Sequence, residues 1–554
     1  MYNKRILLFF TLFLNIVFSI IAQNDSIYLG NVERIKKWEN DRFGMYIHWG
    51  PSSVVGKELS WSRGKEIPIE EYDELYKKFN PSEFNAEELV LLAKQAGMRY
   101  IVFTTKHHDG FCMWNTKQTE YNIMNTPYGK DIVKELSDAC KKYDIKFGVY
   151  YSTCDWYNPD FPLTGQGGTV KRDKSNIDNY TTYLKRQVAE LLLNYGPLNT
   201  IWFDYPQVFD ENRGKGVIEL VRALQPDIMV NCRTGAKGDF DTPEQRVGRY
   251  ETERPWETCM TIARQWGWSP NDEIKSIHQC LHTLIRAAGS GGNFILNIGP
   301  RPDGKIEEAH INRLKEIGRW LEKYGNTIYG TEAGPYLPTD WGACTRKGNS
   351  IYVHVLSWKG GKPLIVLPKP DIRIKSYNLL TGGKIKMIEG DKDYTFEIFD
   401  TEDNPIDMII ELKMEGNVMN LPVMVSSPES FLIGKNVKSS SNPEPVWHDA
   451  QFVCDGDWAG LGWEPSENDI KPWIEIDMGE SRLLSKAFIF ENTKNAIAAF
   501  KIQIKRNGKW KTIYNGTNVG KSIEVDLPKV KARTIRLLIT KMNGIPEISE
   551  FMVL

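Results

Sequence analysis

The sequence has almost no net charge, and this excludes several functional classes. Its 70 lysine and arginine residues balance 71 aspartate and glutamate residues, so the formal net charge is −1. Such a balance provides neither the basic field that attracts nucleic acid nor an acidic tail. The chain also lacks a G-x-G-x-x-G motif opening a helix, and none of its glycines is typical of a phosphate-binding loop. We therefore expect no nucleic-acid partner.

Paired cysteine motifs are absent as well. Eight cysteines are scattered without a C-x-x-C pair, and their spacing does not resemble that of zinc ligands. A protein outside the cytoplasm is allowed disulfides, but the scatter favours mostly buried free thiols. The eight residues are Cys112, Cys140, Cys154, Cys232, Cys259, Cys280, Cys344 and Cys454.

The first 22 residues are typical of a secretory signal peptide. Lys4 and Arg5 form a charged start, 6–21 is almost wholly apolar, and Ala22 is a plausible cleavage edge. The apolar run is slightly short for a membrane span, and no cysteine follows it that would carry a lipid. We expect an exported protein, periplasmic or outside the cell, with no membrane anchor after cleavage.

At 554 residues the chain is too long for a single hydrophobic core. Alternating strand and helix patterns over 24–330 predict an α/β domain, a TIM-like (β/α)₈ barrel. From about Thr331 the helical periodicity disappears and short alternating runs predict strands. We expect an all-β sandwich over 331–417 and a second β-sandwich over 425–554.

Several predicted barrel strands end in polar or aromatic residues. The apolar run 200–203 ends on Asp204, and a buried strand gains nothing from closing on an acid. His48 lies in the first apolar run, His107 and His108 follow the second, and paired tyrosines end the third. Because the carboxyl ends of barrel strands meet at one face, these side chains predict one shared pocket there.

Five motifs occur in an order that resembles the α-L-fucosidases of glycoside hydrolase family 29. The resemblance extends from about Trp38 to Tyr329. The motifs are Phe43–Pro51, Lys106–Phe111, Gly148–Ser152, Trp202–Asp204 and Trp256–Ile262. The carboxyl-terminal region, through Trp473–Gly479 and Ile545–Phe551, resembles a discoidin-type (coagulation factor 5/8 C) carbohydrate-binding module.

This resemblance implies a retaining exo-α-L-fucosidase that removes terminal fucose from oligosaccharide or glycoprotein glycans without a cofactor. Retaining cleavage needs two carboxyl groups about 5–5.5 Å apart, a nucleophile and an acid/base. The resemblance makes Asp204 the nucleophile and Glu244 the acid/base. Glu257 is the alternative acid/base, and the sequence does not show which glutamate sits where its pKa would be raised.

The remaining expected residues would bind the sugar. Neighbours on an extended segment face opposite ways, so one of His107 and His108 could line the pocket while the other bonds its support. The resemblance instead implies that both are ligands. Three histidines also raise the possibility of a metal site, but no carboxylate at ligand spacing completes one. The expected substrate-binding residues are His48, Glu58, Trp61, His107, His108, Tyr151, Trp202, Arg233 and Glu257. Arg233 could reach the ring oxygen of the sugar or the nucleophile, and a cation there would keep Asp204 ionised.

Two other functions stay open at this stage. A related retaining glycosidase, such as an α-L-galactosidase, would differ only in the pocket around the C5 substituent of the sugar. A catalytically inactive fucose-binding lectin would need Asp204 or the acid/base to be lost. In the terminal module, Trp458 and Trp463 lie in glycine-rich sequence and could stack on glycans, whereas Trp473 is expected in the core.

Overall fold

The computed structural model describes residues 32–554 except 166–170, 249, 340, 358–362, 402–404, 425–429, 433, 444–447, 456–461 and 494. The expected signal peptide lies outside the described residues. The chain divides into two compact units. The first contains the chain up to Thr242, Arg254–Cys280 and Asn293–Gly330; the second contains Pro243–Glu253, Leu281–Gly292 and Thr331–Leu554. No helix over the described residues has the length and apolarity needed to cross a bilayer.

The first unit is built around a seven-stranded parallel sheet with the order β5-β4-β3-β2-β1-β7-β6. Its strands are short and almost wholly buried, as expected of strands covered by helices on the outside. They are β1 (Phe43–Ile47), β2 (Tyr100–Lys106), β3 (Lys146–Ser152), β4 (Thr200–Asp204), β5 (Met229–Val230), β6 (Glu257–Thr261) and β7 (Asn293–Ile298).

Two residues bridge the gap between β5 and β6. Phe240 pairs in parallel with Asn231, just after β5, and Asp241 pairs in parallel with Trp256, just before β6. The backbone bonds from Cys232 N–H to the Phe240 carbonyl (3.0 Å) and from Asp241 N–H to the Pro255 carbonyl (2.9 Å) continue the ladder. The segment therefore takes the place of an eighth strand, and the predicted TIM-like fold is confirmed with one strand reduced to a bridge.

Eight α-helices are described. They are α1 (Val32–Glu39), α2 (Ile69–Tyr72), α3 (Ala86–Gln95), α4 (Ile132–Tyr143), α5 (Ile177–Asn194), α6 (Glu211–Leu224), α7 (Ile277–Gly289) and α8 (Glu308–Tyr324). Four begin at a side chain that accepts backbone N–H groups of the first turn, which stabilises each by about 1 kcal/mol. These caps are Asn85, Asp131, Asn176 and Asp210.

Large aromatic side chains fill the barrel interior. Tyr46, Tyr100, Tyr150 and Trp202 belong to one buried cluster and are each at most 1% exposed. Gly44 makes room for one of them, because a Cβ at that position would lie 2.3 Å from Cε2 of Tyr100. The interior is thus a packed core, and a ligand has access only at an end.

The second unit contains the remaining strands in three sheets. A five-stranded sheet has the order β12-β15-β10-β9-β8, a three-stranded sheet β11-β14-β13, and a six-stranded sheet β16-β17-β20-β18-β19 with β21 on β17. The strands are β8 (Glu332–Ala333), β9 (Gly342–Lys347), β10 (Ser350–Val355), β11 (Leu364–Pro368), β12 (Ile374–Leu379), β13 (Lys384–Glu389), β14 (Asp393–Phe399), β15 (Met408–Met414), β16 (Val437–Ser439), β17 (Trp473–Glu491), β18 (Ile497–Arg506), β19 (Lys509–Thr517), β20 (Ser522–Met542) and β21 (Ile548–Val553).

The all-β character expected after Thr331 is confirmed. One buried core includes residues from Tyr336 to Leu421, and another includes residues from Leu432 to Val553. The domain boundaries at 330, 417 and 425 stay predictions. All eight cysteines are free and seven are buried, which confirms the thiols expected from the sequence.

Candidate active site

Asp204 is the last residue of β4, where the barrel strands end. Its partner across the β3–β4 ladder is Ser152, so the two strands end at the same level. The next residue, Tyr205, has a φ of 59°. This left-handed conformation is uncommon for a bulky side chain and is found mostly where the surrounding structure enforces it, often at functional sites. The chain therefore turns sharply just after the carboxylate.

Both carboxylate oxygens of Asp204 accept hydrogen bonds. Tyr150 donates its hydroxyl to Oδ2 at 2.8 Å, and Arg233 Nη1 donates to Oδ1 at 2.9 Å. Burial alone would raise the pKa of Asp204, but the Arg233 charge and the bonds from Arg233 and Tyr150 outweigh it and lower the pKa below its ordinary value. Asp204 is therefore an ionised carboxylate at neutral pH.

The tyrosine at this site is Tyr150, and the expectation that Tyr151 lines the pocket is wrong. Tyr151 is fully buried and donates its hydroxyl to Gln187 on α5 at 2.7 Å. Successive side chains of a strand point to opposite faces. Tyr150 therefore faces the barrel interior and reaches Asp204, while Tyr151 faces the helical layer.

Three buried histidine rings lie together beside Asp204. The centroids of His48 and His107 are 5.6 Å apart, those of His107 and His108 are 4.0 Å apart, and His108 Nε2 lies 3.9 Å from Asp204 Oδ2. Burial lowers the pKa of His48 and of His108 to about 4 and that of His107 well below its ordinary value. All three rings are neutral at pH 7. The structure brings together the histidines that the sequence predicted.

Arg233 connects Asp204 to the segment that precedes Glu244. Its Nε donates to Thr242 Oγ1 and its Nη2 donates to the Thr242 carbonyl, both at 2.9 Å. The guanidinium lies 5.1 Å from the ring centroid of Trp202, close enough for a cation–π contact. Glu244 itself is half-buried and belongs to the second unit.

Trp202 lies one barrel layer below Asp204, on the same face of β4. It is 1% exposed and donates its indole N–H to Glu257 Oε2 at 2.8 Å. Trp202 therefore supports Arg233 from inside the barrel.

Glu257 lies at the amino end of β6, away from the strand ends that carry Asp204, and it is fully buried. Its side chain also accepts a hydrogen bond from Tyr100. The expectation that Glu257 lines the pocket is therefore wrong. The sequence placed Glu257 in a motif of the family, but it predicted neither the strand β6 nor the depth of Glu257 in the barrel.

Glu58 and Trp61 follow β1 and have different roles beside the histidines. Glu58 accepts backbone N–H groups from Trp266 (2.8 Å) and Gly267 (2.9 Å), and so holds the segment that carries the Trp266 ring. Trp266 was not predicted, and its ring centroid lies 4.8 Å from that of His48. Trp61 packs against His108 at a centroid distance of 5.2 Å. The two indoles give the site apolar walls.

In the carboxyl-terminal region, Trp463 is fully buried and donates its indole N–H to the Ser441 carbonyl at 2.8 Å. It is a core residue, so the prediction that it stacks on glycans is wrong. Trp473 is only partly buried and packs under the Arg536 guanidinium at 4.5 Å, which corrects its expected place in the core. Trp458 lies outside the described residues.

Comparison with known proteins identifies the family. A family model described as alpha-L-fucosidase matches residues 23–326, more than half of the chain, and a model described as F5/8 type C domain matches residues 436–551. The chain is 28% identical to human plasma alpha-L-fucosidase over 394 residues, covering 64% of this chain and 83% of that protein.

Solved structures extend the comparison. Alpha-L-fucosidase isoenzyme 1 from Paenibacillus thiaminolyticus matches with a TM-score of 0.63 at 33% identity, over 69% of this chain and 99% of that one. A mutant GH29 alpha-L-fucosidase from Bacteroides thetaiotaomicron, trapped as a covalent intermediate with 2-fluoro-fucosyl fluoride, matches with a TM-score of 0.63 at 26% identity, over 70% of this chain and 98% of that one. The present chain therefore belongs to the alpha-L-fucosidase family of glycoside hydrolases.

Proposed function

We propose that Asp204 is the nucleophile of a retaining alpha-L-fucosidase that removes terminal fucose from oligosaccharide or glycoprotein glycans. The observation that carries this assignment is a carboxylate at a strand end that accepts hydrogen bonds from Tyr150 and Arg233 and lies beside three buried histidines. In the first step Asp204 attacks the anomeric carbon, the glycosidic C–O bond breaks, and the leaving oxygen takes a proton from the acid/base. In the second step water displaces the Asp204 carboxylate from the sugar and gives a proton back to the acid/base.

Arg233 and Tyr150 prepare Asp204 for the first step. Each donates to a different carboxylate oxygen, which favours the ionised form and holds the carboxylate plane in one orientation. When Asp204 bonds to the sugar its charge is lost, and both donors remain in place to receive the charge again in the second step.

Glu244 is our proposed acid/base. It follows Thr242 by two residues, and Thr242 is held by Arg233, which also binds the nucleophile. Burial raises the pKa of Glu257 to about 7, a value that suits a general acid. Geometry takes precedence over pKa, however, because an acid must reach the leaving oxygen. A fully buried carboxyl bonded to Trp202 does not.

The histidines and the two indoles form the proposed sugar-binding site. Ring nitrogens of His48, His107 and His108 would contact hydroxyl groups, and Trp61 and Trp266 would flank the less polar faces of the deoxysugar. We also propose that residues 1–22 direct export to the periplasm or the medium, and that the F5/8 type C region contacts glycans through residues other than Trp463.

The assignment of the acid/base is tested by comparing Glu244→Gln with Glu257→Gln. A fucoside with a good leaving group, such as a nitrophenol, needs little protonation, whereas a sugar leaving group needs much. We expect Glu244→Gln to lose far more kcat/KM on a fucosyl oligosaccharide than on a nitrophenyl fucoside, and azide to restore part of its turnover. Equal losses on both substrates would count against Glu244.

The nucleophile is tested by labelling with a 2-fluoro-fucosyl fluoride followed by peptide mapping. We expect the label on Asp204 and none on an Asp204→Ala variant. A label on another residue would overturn the assignment. A panel of nitrophenyl glycosides separates fucosidase from α-L-galactosidase activity, and turnover by the wild type with none by Asp204→Ala excludes an inactive lectin.

A further inference from the structure

Each of the three site histidines is bonded at Nδ1 by a buried polar side chain. Ser60 Oγ lies 2.6 Å from His107 Nδ1, Ser152 Oγ lies 2.7 Å from His108 Nδ1, and Asn297 Oδ1 lies 2.7 Å from His48 Nδ1. Ser60, Ser152 and Asn297 are at most 1% exposed. A neutral imidazole carries one proton, so the partner of Nδ1 decides whether Nε2 donates or accepts.

The direction of the two serine bonds follows from a second contact at each hydroxyl. The Asp109 N–H donates to Ser60 Oγ at 3.0 Å, and the Cys154 N–H donates to Ser152 Oγ at 3.0 Å. Each oxygen therefore already accepts a backbone proton. Within the described residues, neither hydroxyl has another acceptor besides the histidine. If the ring donated from Nδ1, the hydroxyl proton would have no acceptor. The hydroxyl therefore donates its proton to Nδ1, and the ring proton lies on Nε2.

The Asn297 bond runs the other way. Asn297 Nδ2 donates to the Trp266 carbonyl at 2.8 Å, and this contact assigns the nitrogen and oxygen of the amide. Oδ1 is then an acceptor, so His48 Nδ1 must carry the proton and donate it. The Nε2 of His48 is left with a lone pair, opposite to the other two rings.

We infer that Ser60 and Ser152 are positioning residues that hold His107 and His108 in the Nε2–H tautomer, while Asn297 holds His48 in the Nδ1–H tautomer. The site then presents two hydrogen-bond donors and one acceptor to the sugar. This inference rests on the proposed function for its ligand, because it concerns the hydroxyl groups of the fucosyl residue. The three Nε2 atoms make no hydrogen bond within the described residues, so they are available to such a ligand.

The pattern selects a particular kind of sugar group. A hydroxyl between His48 and His107 would donate to His48 Nε2 and accept from His107 Nε2–H, using both of its hydrogen-bonding roles. An analogue with fluorine at that position can only accept, and a deoxy analogue does neither. His108 Nε2–H, at 3.9 Å from Asp204 Oδ2, would place its proton on the nucleophile side of the sugar.

The placement of Ser60 is consistent with a positioning role. Its φ is 59°, in the left-handed region, and its N–H donates to the Tyr72 hydroxyl at 2.8 Å. Tyr72 in turn donates to Asp109 Oδ2 at 2.6 Å. Tyr72 therefore holds the backbone of Ser60 and the Asp109 N–H holds its hydroxyl, in a conformation that costs free energy unless its surroundings enforce it.

The test is nitrogen NMR of the full-length enzyme labelled with ¹⁵N at its eight histidines. Single His→Gln variants at 48, 107 and 108 assign the signals. We expect protonated Nε2 with bare Nδ1 in His107 and His108, and the reverse in His48. The opposite protonation of any of the three rings would overturn the inference, whether or not the enzyme cleaves fucosides. Correct tautomers without fucosidase activity would overturn the proposed function alone.

Variants separate positioning from simple packing. We expect Ser60→Ala and Ser152→Ala to lose the single-tautomer signature and about tenfold in kcat/KM, chiefly through KM. Ser152→Thr keeps the hydroxyl and should keep the signature. Ser53→Ala is the control, since Ser53 is a buried serine that donates to the Gly50 carbonyl at 2.8 Å. Unchanged tautomers and kinetics in both alanine variants would show that the serines do not position the rings.

Discussion

Replacing Arg233 with methionine tests how the nucleophile is kept ionised. The change keeps most of the side-chain length but removes the bond at 2.9 Å to Asp204 and the two bonds to Thr242. The Arg233 and Asp204 side chains are only 14% and 17% exposed, so solvent screens their attraction weakly. A hydrogen bond to a charged group contributes about 1.5–3 kcal/mol. We expect kcat/KM to fall by roughly 10- to 150-fold.

The pH dependence gives the sharper readout. Burial raises the pKa of Asp204, and Arg233 is the main group that opposes it. Without Arg233 the pKa of Asp204 must rise, so ionised nucleophile is lost at a higher pH as the solution is acidified. The acidic limb of kcat/KM, measured with a nitrophenyl fucoside, should therefore move to higher pH.

The matched control is Arg254→Met. Arg254 is also paired with an aspartate, donating from Nε to Asp241 Oδ2 at 2.7 Å. We expect its acidic limb to match that of the wild type even where its stability falls. If the limbs of both variants and the wild type superimpose, Arg233 does not keep Asp204 ionised, and our account of the nucleophile is wrong.

Three further predictions concern other residues. Tyr150→Phe should lower kcat/KM about tenfold by removing a bond to Asp204, whereas Tyr151→Phe should keep the kinetics and lower the unfolding free energy by about 1 kcal/mol, measured by denaturant titration. Burial raises the pKa of Glu257 from 4.5 to about 7, so its contribution to stability is full below pH 4.5 and is lost as pH rises through 7. Glu257→Gln should therefore flatten the dependence of Tm on pH in this range, as measured by calorimetry. Trp463→Ala should destabilise its β-sandwich by about 3–5 kcal/mol.

Each of these predictions has an outcome that contradicts it. Equal kinetic losses in Tyr150→Phe and Tyr151→Phe would contradict the placement of the two rings on opposite faces of β3. A Tm profile of Glu257→Gln that parallels the wild type would show that Glu257 does not titrate in this range. Reduced glycan binding by Trp463→Ala without loss of stability would show that Trp463 binds glycans and is not a core residue.

Local patterns in the sequence determined much of the barrel. The alternating patterns over 24–330 predicted the parallel barrel, and the apolar run 200–203 predicted the strand observed at Thr200–Asp204. Hydrophobic periodicity is a property of neighbouring residues, so it survives without knowledge of the rest of the fold. The same reasoning placed Asp204 at a strand end, because an acid after an apolar run must find a polar surrounding.

The tertiary structure alone decided which side chains meet. Whether Tyr150 or Tyr151 faces the barrel interior depends on how β3 is set against its neighbours, and the depth of Glu257 depends on where β6 starts in the barrel. The tautomer of His48 is set by its hydrogen bond to Asn297, which lies 249 residues later in the chain. Such contacts follow from the closure of the barrel and the register of its strands, and no local pattern carries that information.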